Sequence, residues 1–144
     1  MSKIIPVTET LIENKIYFIR GQKVMLDNDL AEMYGVLTKA LKQAVKRHLE
    51  RFPEDFMFEL KKIEFVSLRC QFGTLKRGEH PKYLPMAFTE QGVAMLSGIL
   101  KSEKAVEVNI AIMRTFVQLR KLMDSNKDLA QKIEGMEQNY NEQF

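Results

Sequence analysis

The sequence predicts an α+β domain: an N-terminal β-hairpin, a helix-turn-helix-like pair, a small antiparallel sheet, and helices ending in a long C-terminal coiled-coil helix. Three observations predict it. Two β-prone runs flank a glycine near the N-terminus, residues 27–51 place apolar side chains at helical spacing on both sides of a second glycine, and apolar residues from Leu119 onward recur at alternating threes and fours.

In order along the chain, Lys15 to Arg20 (KIYFIR) and Lys23 to Leu26 (KVML) are short strands separated by Gly21-Gln22, hence a hairpin. Asp27 suits the N-cap of the first helix, because its carboxylate accepts from free backbone N–H groups and meets the positive end of the dipole. Leu30, Ala31 and Tyr34 give that helix an apolar stripe, and Gly35 stands where a left-handed cap ends it. Val36 and Leu37 plug the corner, and Thr38 caps the next helix. Pro53 stops that helix near Phe52, and Phe56 to Leu60 reads as a strand. A short amphipathic helix covers Lys62 to Leu68.

Residues 70–82 (CQFGTLKRGEHPK) combine two glycines, a proline and lysine and arginine side chains between Phe56–Leu60 and Tyr83–Phe88. A basic loop or β-wing that reaches DNA phosphates and an exposed crossover loop both fit this stretch. Thr89 caps a helix through Leu100, with Gly92 and Gly98 allowing close packing and no phosphate-loop pattern around them. Ser102 begins the last helix.

The second helix of the pair carries the functional signal. Leu41, Val45, His48, Leu49 and Phe52 share one side, and Lys39, Lys42, Gln43, Lys46 and Glu50 the other, with Arg47 and Arg51 on the flank. The apolar side seats the helix on a core. The other presents cations and an amide that match phosphates and major-groove base edges. A solvated lysine-rich helix has the same charge, but the small, turn, apolar and capping residues at Ala31, Gly35, Val36 and Thr38 are those a tight bihelical corner needs.

At the C-terminus, Leu119, Asn126, Ile133 and Tyr140 fall at a positions of a heptad and Leu122, Leu129 and Met136 at d positions. Asn126 in such a seam favours a parallel homodimer, because it is costly unless paired with its equivalent on a second chain. The alternative is a break at Asp124-Ser125-Asn126, with the tail folding back on the domain. The expected division is a DNA-binding domain at 1–122 and a dimerisation helix at 123–144.

The 144 residues, 45% of them apolar, suffice for one core of ordinary size. The formal charge is only +3, so its distribution matters more than its sum. Positive charge concentrates at residues 39–51 and again at Arg69, Lys76, Arg77 and Lys82. No stretch approaches the ~20 apolar residues of a membrane span, the N-terminus lacks a signal-peptide core, and one cysteine, Cys70, forms no internal disulfide; a cytoplasmic protein is expected. No cofactor and no metal are expected. The two histidines, His48 and His80, have no partners at metal-ligand spacing, and the pairs Asp27/Asp29 and Glu54/Asp55 stand where caps and turns want acids. The expectation is a binding protein and not an enzyme.

These blocks together, VMLDNDLAEMYGV (24–36), KRHLERFPEDFMFEL (46–60), YLPMAFTEQGVAML (83–96) and VNIAIMRTFVQLR (108–120), resemble the phage and prophage ORF-six N-terminal domain, a relative of the KilA N-terminal DNA-binding domain. The resemblance spans residues 16–122. It implies a compact domain that binds DNA in antirepressor-like and other prophage regulatory proteins, whose members often carry a separate module after this domain and a coiled segment. The residue pattern then assigns Lys39, Lys42, Gln43 and Lys46 to the major groove, with Gln43 reading adenine, and Arg47, Arg51, Lys76 and Arg77 to phosphates. The expected partner is double-stranded DNA, bound by a homodimer. A protein-interaction adaptor that captures a regulatory partner without touching DNA is the competing reading.

Overall fold

The computed structural model of the protein describes residues 9–71 and 83–125. In chain order the elements are α1 (Glu9–Glu13), β1 (Tyr17–Ile19), β2 (Gln22–Leu26), α2 (Asp27–Tyr34), α3 (Thr38–Arg47), β3 (Met57–Glu59), α4 (Lys62–Gln71), β4 (Met86–Phe88), α5 (Glu90–Leu100) and α6 (Glu103–Ser125). A single 3-10 turn, Leu49–Arg51, follows α3. The strands form one antiparallel sheet in the order β1-β2-β4-β3. This is the expected α+β architecture.

The hairpin turns one residue earlier than the sequence suggested. Ile19 pairs with Gln22, so the two-residue loop is Arg20-Gly21, and both residues are left-handed, with φ of 54° and 74°. That is the turn whose twist matches two right-twisted strands. Glycine takes this conformation freely, whereas Arg20 carries a Cβ and is held there by its side chain. Its guanidinium donates two bonds of 2.9 Å to the Glu64 carboxylate and lies 4.2 Å above the Phe58 ring.

Those bonds from Arg20, with a further one of 2.7 Å from the Lys61 N–H, hold the Glu64 carboxyl at about 2, below its ordinary 4.5. A carboxyl lowered on folding adds stability above its unfolded value and loses it as pH falls through the folded one. The stability difference between the protein and Glu64→Gln is therefore expected to be full above pH 4.5 and to shrink toward pH 2, in urea titrations at stepped pH. A difference that does not change across that window would contradict the assignment.

The sheet separates two apolar layers because alternate residues face opposite sides. Met25, Met57, Met86 and Phe88 join Leu30, Tyr34, Leu41, Val45, Val93, Leu96, Ile112 and Phe116 in the main core, under α2, α3, α5 and α6. Phe52, past the end of α3, sets its ring edge against Phe88 at 5.9 Å. Val24, Leu26, Phe58 and Ala87 point the other way and are covered by Leu60 and by Phe65 of α4.

The helices are locked by a few buried polar bonds. Thr89 caps α5 as expected, its hydroxyl accepting from Gly92 N–H at 3.4 Å and donating to the Asp55 carbonyl at 2.7 Å. Buried Asn109 of α6 accepts from the Tyr34 hydroxyl and donates to the Val93 carbonyl at 2.7 Å, which joins α2, α5 and α6 at one point. Burial pushes the Tyr34 phenol well above its ordinary value, so it stays a donor throughout the physiological range. Ser102 accepts from Ala105 N–H at 3.0 Å and starts α6.

Three expectations need correction. Asp27 and Thr38 are first helical residues and not caps; Leu26 and Leu37 occupy the cap positions with extended backbone and no side-chain bond. Leu37 and Leu49 are exposed instead of buried at the corner and on the core side of α3. Gly92 is indispensable to packing, whereas a Cβ at Gly98 would meet only the Arg51 guanidinium at 3.9 Å. The helix α1, unforeseen, inserts fully buried Ile12 beside α6.

The inner stripe of α6 (Ala105, Val108, Ile112, Thr115) is buried, and the same three-four spacing continues through Leu119 to exposed Leu122. The proposed seam thus prolongs the face with which α6 packs on its own domain. The helix runs through the expected boundary at Leu122, and Asp124 and Ser125 belong to it. Asn126, Leu129, Ile133, Met136 and Tyr140 lie outside the described residues.

Candidate nucleic-acid interface

The corner that presents α3 follows from Gly35. Its φ of 74° and ψ of 31° put it in the left-handed region, so its N–H turns back to the Glu32 carbonyl at 3.2 Å and the Val36 N–H to the Ala31 carbonyl at 3.0 Å. Those bonds satisfy the last carbonyls of α2 and redirect the chain within three residues. Val36 then packs on the core, and Leu41 and Val45, both fully buried, seat α3.

Facing away from that seat are Lys39, Gln43, Lys46 and Arg47, all exposed and spaced by four, three and one residues along α3. None of the three cations makes an ion pair among the described residues. They form a row of positive charge with one amide at its centre. Glu50 and Arg51 follow in sequence, but they stand on the 3-10 turn, where the helix has already ended at His48, and the Arg51 guanidinium lies near Gly98 of α5. His48 closes α3, with Nδ1 3.0 Å from the Ala44 carbonyl.

Lys42 is placed differently. Its ammonium sits 3.3 Å from the Asp27 carboxylate, donates to the Leu84 carbonyl at 3.0 Å and lies 5.7 Å from the Tyr83 ring. The Asp27 carboxylate is almost wholly buried and also accepts from Met86 N–H at 3.0 Å and Asn28 N–H at 2.7 Å. Asp27 therefore ties the start of α2 to strand β4 and, through Lys42, to α3. The sequence gives no signal for this pair, since it joins residues on opposite sides of the corner. Tyr83 and Leu37, both more than two-thirds exposed, are further side chains near this face, and the sequence patterns assigned neither of them to DNA contact.

Lys76 and Arg77 lie outside the described residues. Among those described, no three of His, Cys, Asp and Glu gather as a metal site would require, and no helix is long and apolar enough to cross a membrane. The exposed row on α3 consists of three cations and one amide. What it can do is bind anions and hydrogen-bond to a flat, polar edge.

Comparison with known proteins gives one result: the family model described as the ORF6N domain matches residues 14–99, from the hairpin to the penultimate residues of α5. No curated protein and no solved structure matches the chain.

Proposed function

The chain belongs to the ORF6N domain family, and we propose that it is the sequence-specific double-stranded DNA-binding domain of a phage-type, antirepressor-like regulatory protein, cytoplasmic, non-enzymatic and dimeric. The observation that carries this reading is the row Lys39, Gln43, Lys46 and Arg47, held outward on a helix whose opposite side is buried. Lys39, Lys46 and Arg47 neutralise phosphates at the groove edges, and Gln43, at the centre of the row, pairs its amide with an adenine edge. Lys42 braces the helix through Asp27. A dimer sets two such helices on half-sites about one turn, ~34 Å, apart, and its operator is then nearly symmetric.

Selection from a duplex library tests the division of labour. Gln43→Ala is expected to relax preference at one base position per half-site, at about 1–3 kcal/mol, while Lys46→Ala weakens every sequence alike and lowers the salt dependence. Equal behaviour of the two variants across the library would remove Gln43 from base reading. Absence of any binding would favour the adaptor reading.

A further inference from the structure

We propose that the outer face of α6 is a self-association surface, on which a second copy of this chain packs its own α6 antiparallel, with the two-fold axis passing between Ile110 and Met113. The proposal shares with the function above only the expectation of a dimer, and it holds whether or not the chain binds DNA.

Val106, Ile110 and Val117 are 47%, 46% and 39% exposed, and Met113 is half-buried between them. At 100° per residue these four fall within an arc of about 60° on α6, distinct from the buried stripe. Spacings of four, three and four are those of a helix-pairing seam. Four aliphatic side chains in one row on α6 form a contiguous apolar strip rather than isolated exposed residues.

The charges beside the strip decide what covers it. On one flank, in order, stand Glu103, Glu107, Arg114 and Lys121, all exposed: acidic in the first half of the helix and basic in the second. When two helices pair antiparallel, each flank meets the same flank of its mate. A two-fold axis between Ile110 and Met113 therefore sets Val106 against Val117 of the second copy, Ile110 against Met113, Glu107 against Arg114 and Glu103 against Lys121. The pattern is complementary to itself, as an isologous interface must be.

The surface shape agrees. Lys101, Ser102, Glu103, Val106 and Glu107 line an open groove at the start of α6, and the same axis brings Lys121 of the second copy to Glu103 in it. Arg120 is not needed, since it pairs with Glu90 of its own chain. A parallel pair would set this flank against the opposite one, where Asn109 and Phe116 are buried and Arg120 is taken.

Sedimentation equilibrium without DNA is the first test. The full chain is expected to dimerise, and Ile110→Glu to weaken dimerisation by about tenfold or more, with an unchanged far-UV circular dichroism spectrum because the side chain is exposed. Glu107→Arg and Arg114→Glu should each weaken it, and their combination should restore it to near the starting affinity. Cysteine cross-linking in a Cys70→Ser background then fixes the direction. Chains carrying Val106→Cys should cross-link to chains carrying Val117→Cys, and neither should cross-link to itself. A chain that stays monomeric at protein concentrations on the order of 100 µM, so that any dissociation constant is weaker than that, failure of the charge exchange to restore association, or self-linking of Val106→Cys would each overturn the proposal. Because DNA is absent throughout, a failure here is distinct from a failure of the DNA-binding reading.

Discussion

Gly92→Ala is expected to destabilise the domain by about 3 kcal/mol or more, lowering the thermal midpoint by roughly 10 °C. A Cβ on Gly92 would stand 2.0 Å from the Phe56 carbonyl oxygen and 2.9 Å from its carbon. Both are backbone atoms, so no side chain can rotate away. The oxygen is also fixed by its bonds, accepting from the Thr89 N–H at 3.0 Å and the Thr89 hydroxyl at 3.2 Å. Moving it would loosen the cap of α5 and the start of β3 together. Gly98→Ala is the control: it lies in the same helix, meets only the far end of Arg51, and should be neutral or stabilising by about 0.5–1 kcal/mol. Similar losses at both positions would mean that helix propensity, and not the close approach, sets the effect.

Removing the Asp27 carboxylate has the second large effect expected. Asp27→Leu leaves the Lys42 ammonium, itself mostly buried, without its counter-charge and the Met86 N–H without an acceptor. Breaking one side of a buried pair costs about 3–5 kcal/mol, whereas replacing both partners with apolar groups costs much less. Urea unfolding of Asp27→Leu, Lys42→Met and the double variant measures the coupling. The double variant should recover a large part of the loss, with the unsatisfied Met86 N–H accounting for the remainder. Strict additivity would show that the two side chains act independently. Because the pair joins α2, α3 and β4, these variants should also lose DNA binding only in proportion to unfolding, unlike substitutions on the exposed row.

Much of this architecture was legible because local rules and tertiary demands agree. Gly35 announces a left-handed cap, Thr89 a helix start, and the buried positions Leu41 and Val45 the orientation of α3. The misread residues are those where a long-range contact overrides the local preference. Asp27 has the chemistry of a cap, but its carboxylate is drawn inward by Met86 and Lys42 and leaves the cap to Leu26. Lys42 sits on the basic side of the helical wheel and yet turns to a carboxylate that no periodicity reveals. Five residues with two apolar positions carry too little signal to mark α1, whose helix depends on burying Ile12. Arg20 adopts a backbone conformation disfavoured for its type because Glu64, 44 residues later, holds its side chain.

The exposed row on α3 is the centre of the functional reading, and fluorescence anisotropy with mixed-sequence duplex DNA over a salt series tests it most directly. Lys39→Ala combined with Lys46→Ala is the variant to compare, since both side chains are exposed and their loss leaves the core intact. Binding with a log–log slope of about −4 or steeper, made shallower in the double variant by about 2 for each protomer on the DNA, is the expected result and would show phosphates neutralised through this helix. A protein that fails to bind even at low salt, or a double variant with an unchanged slope, would contradict it.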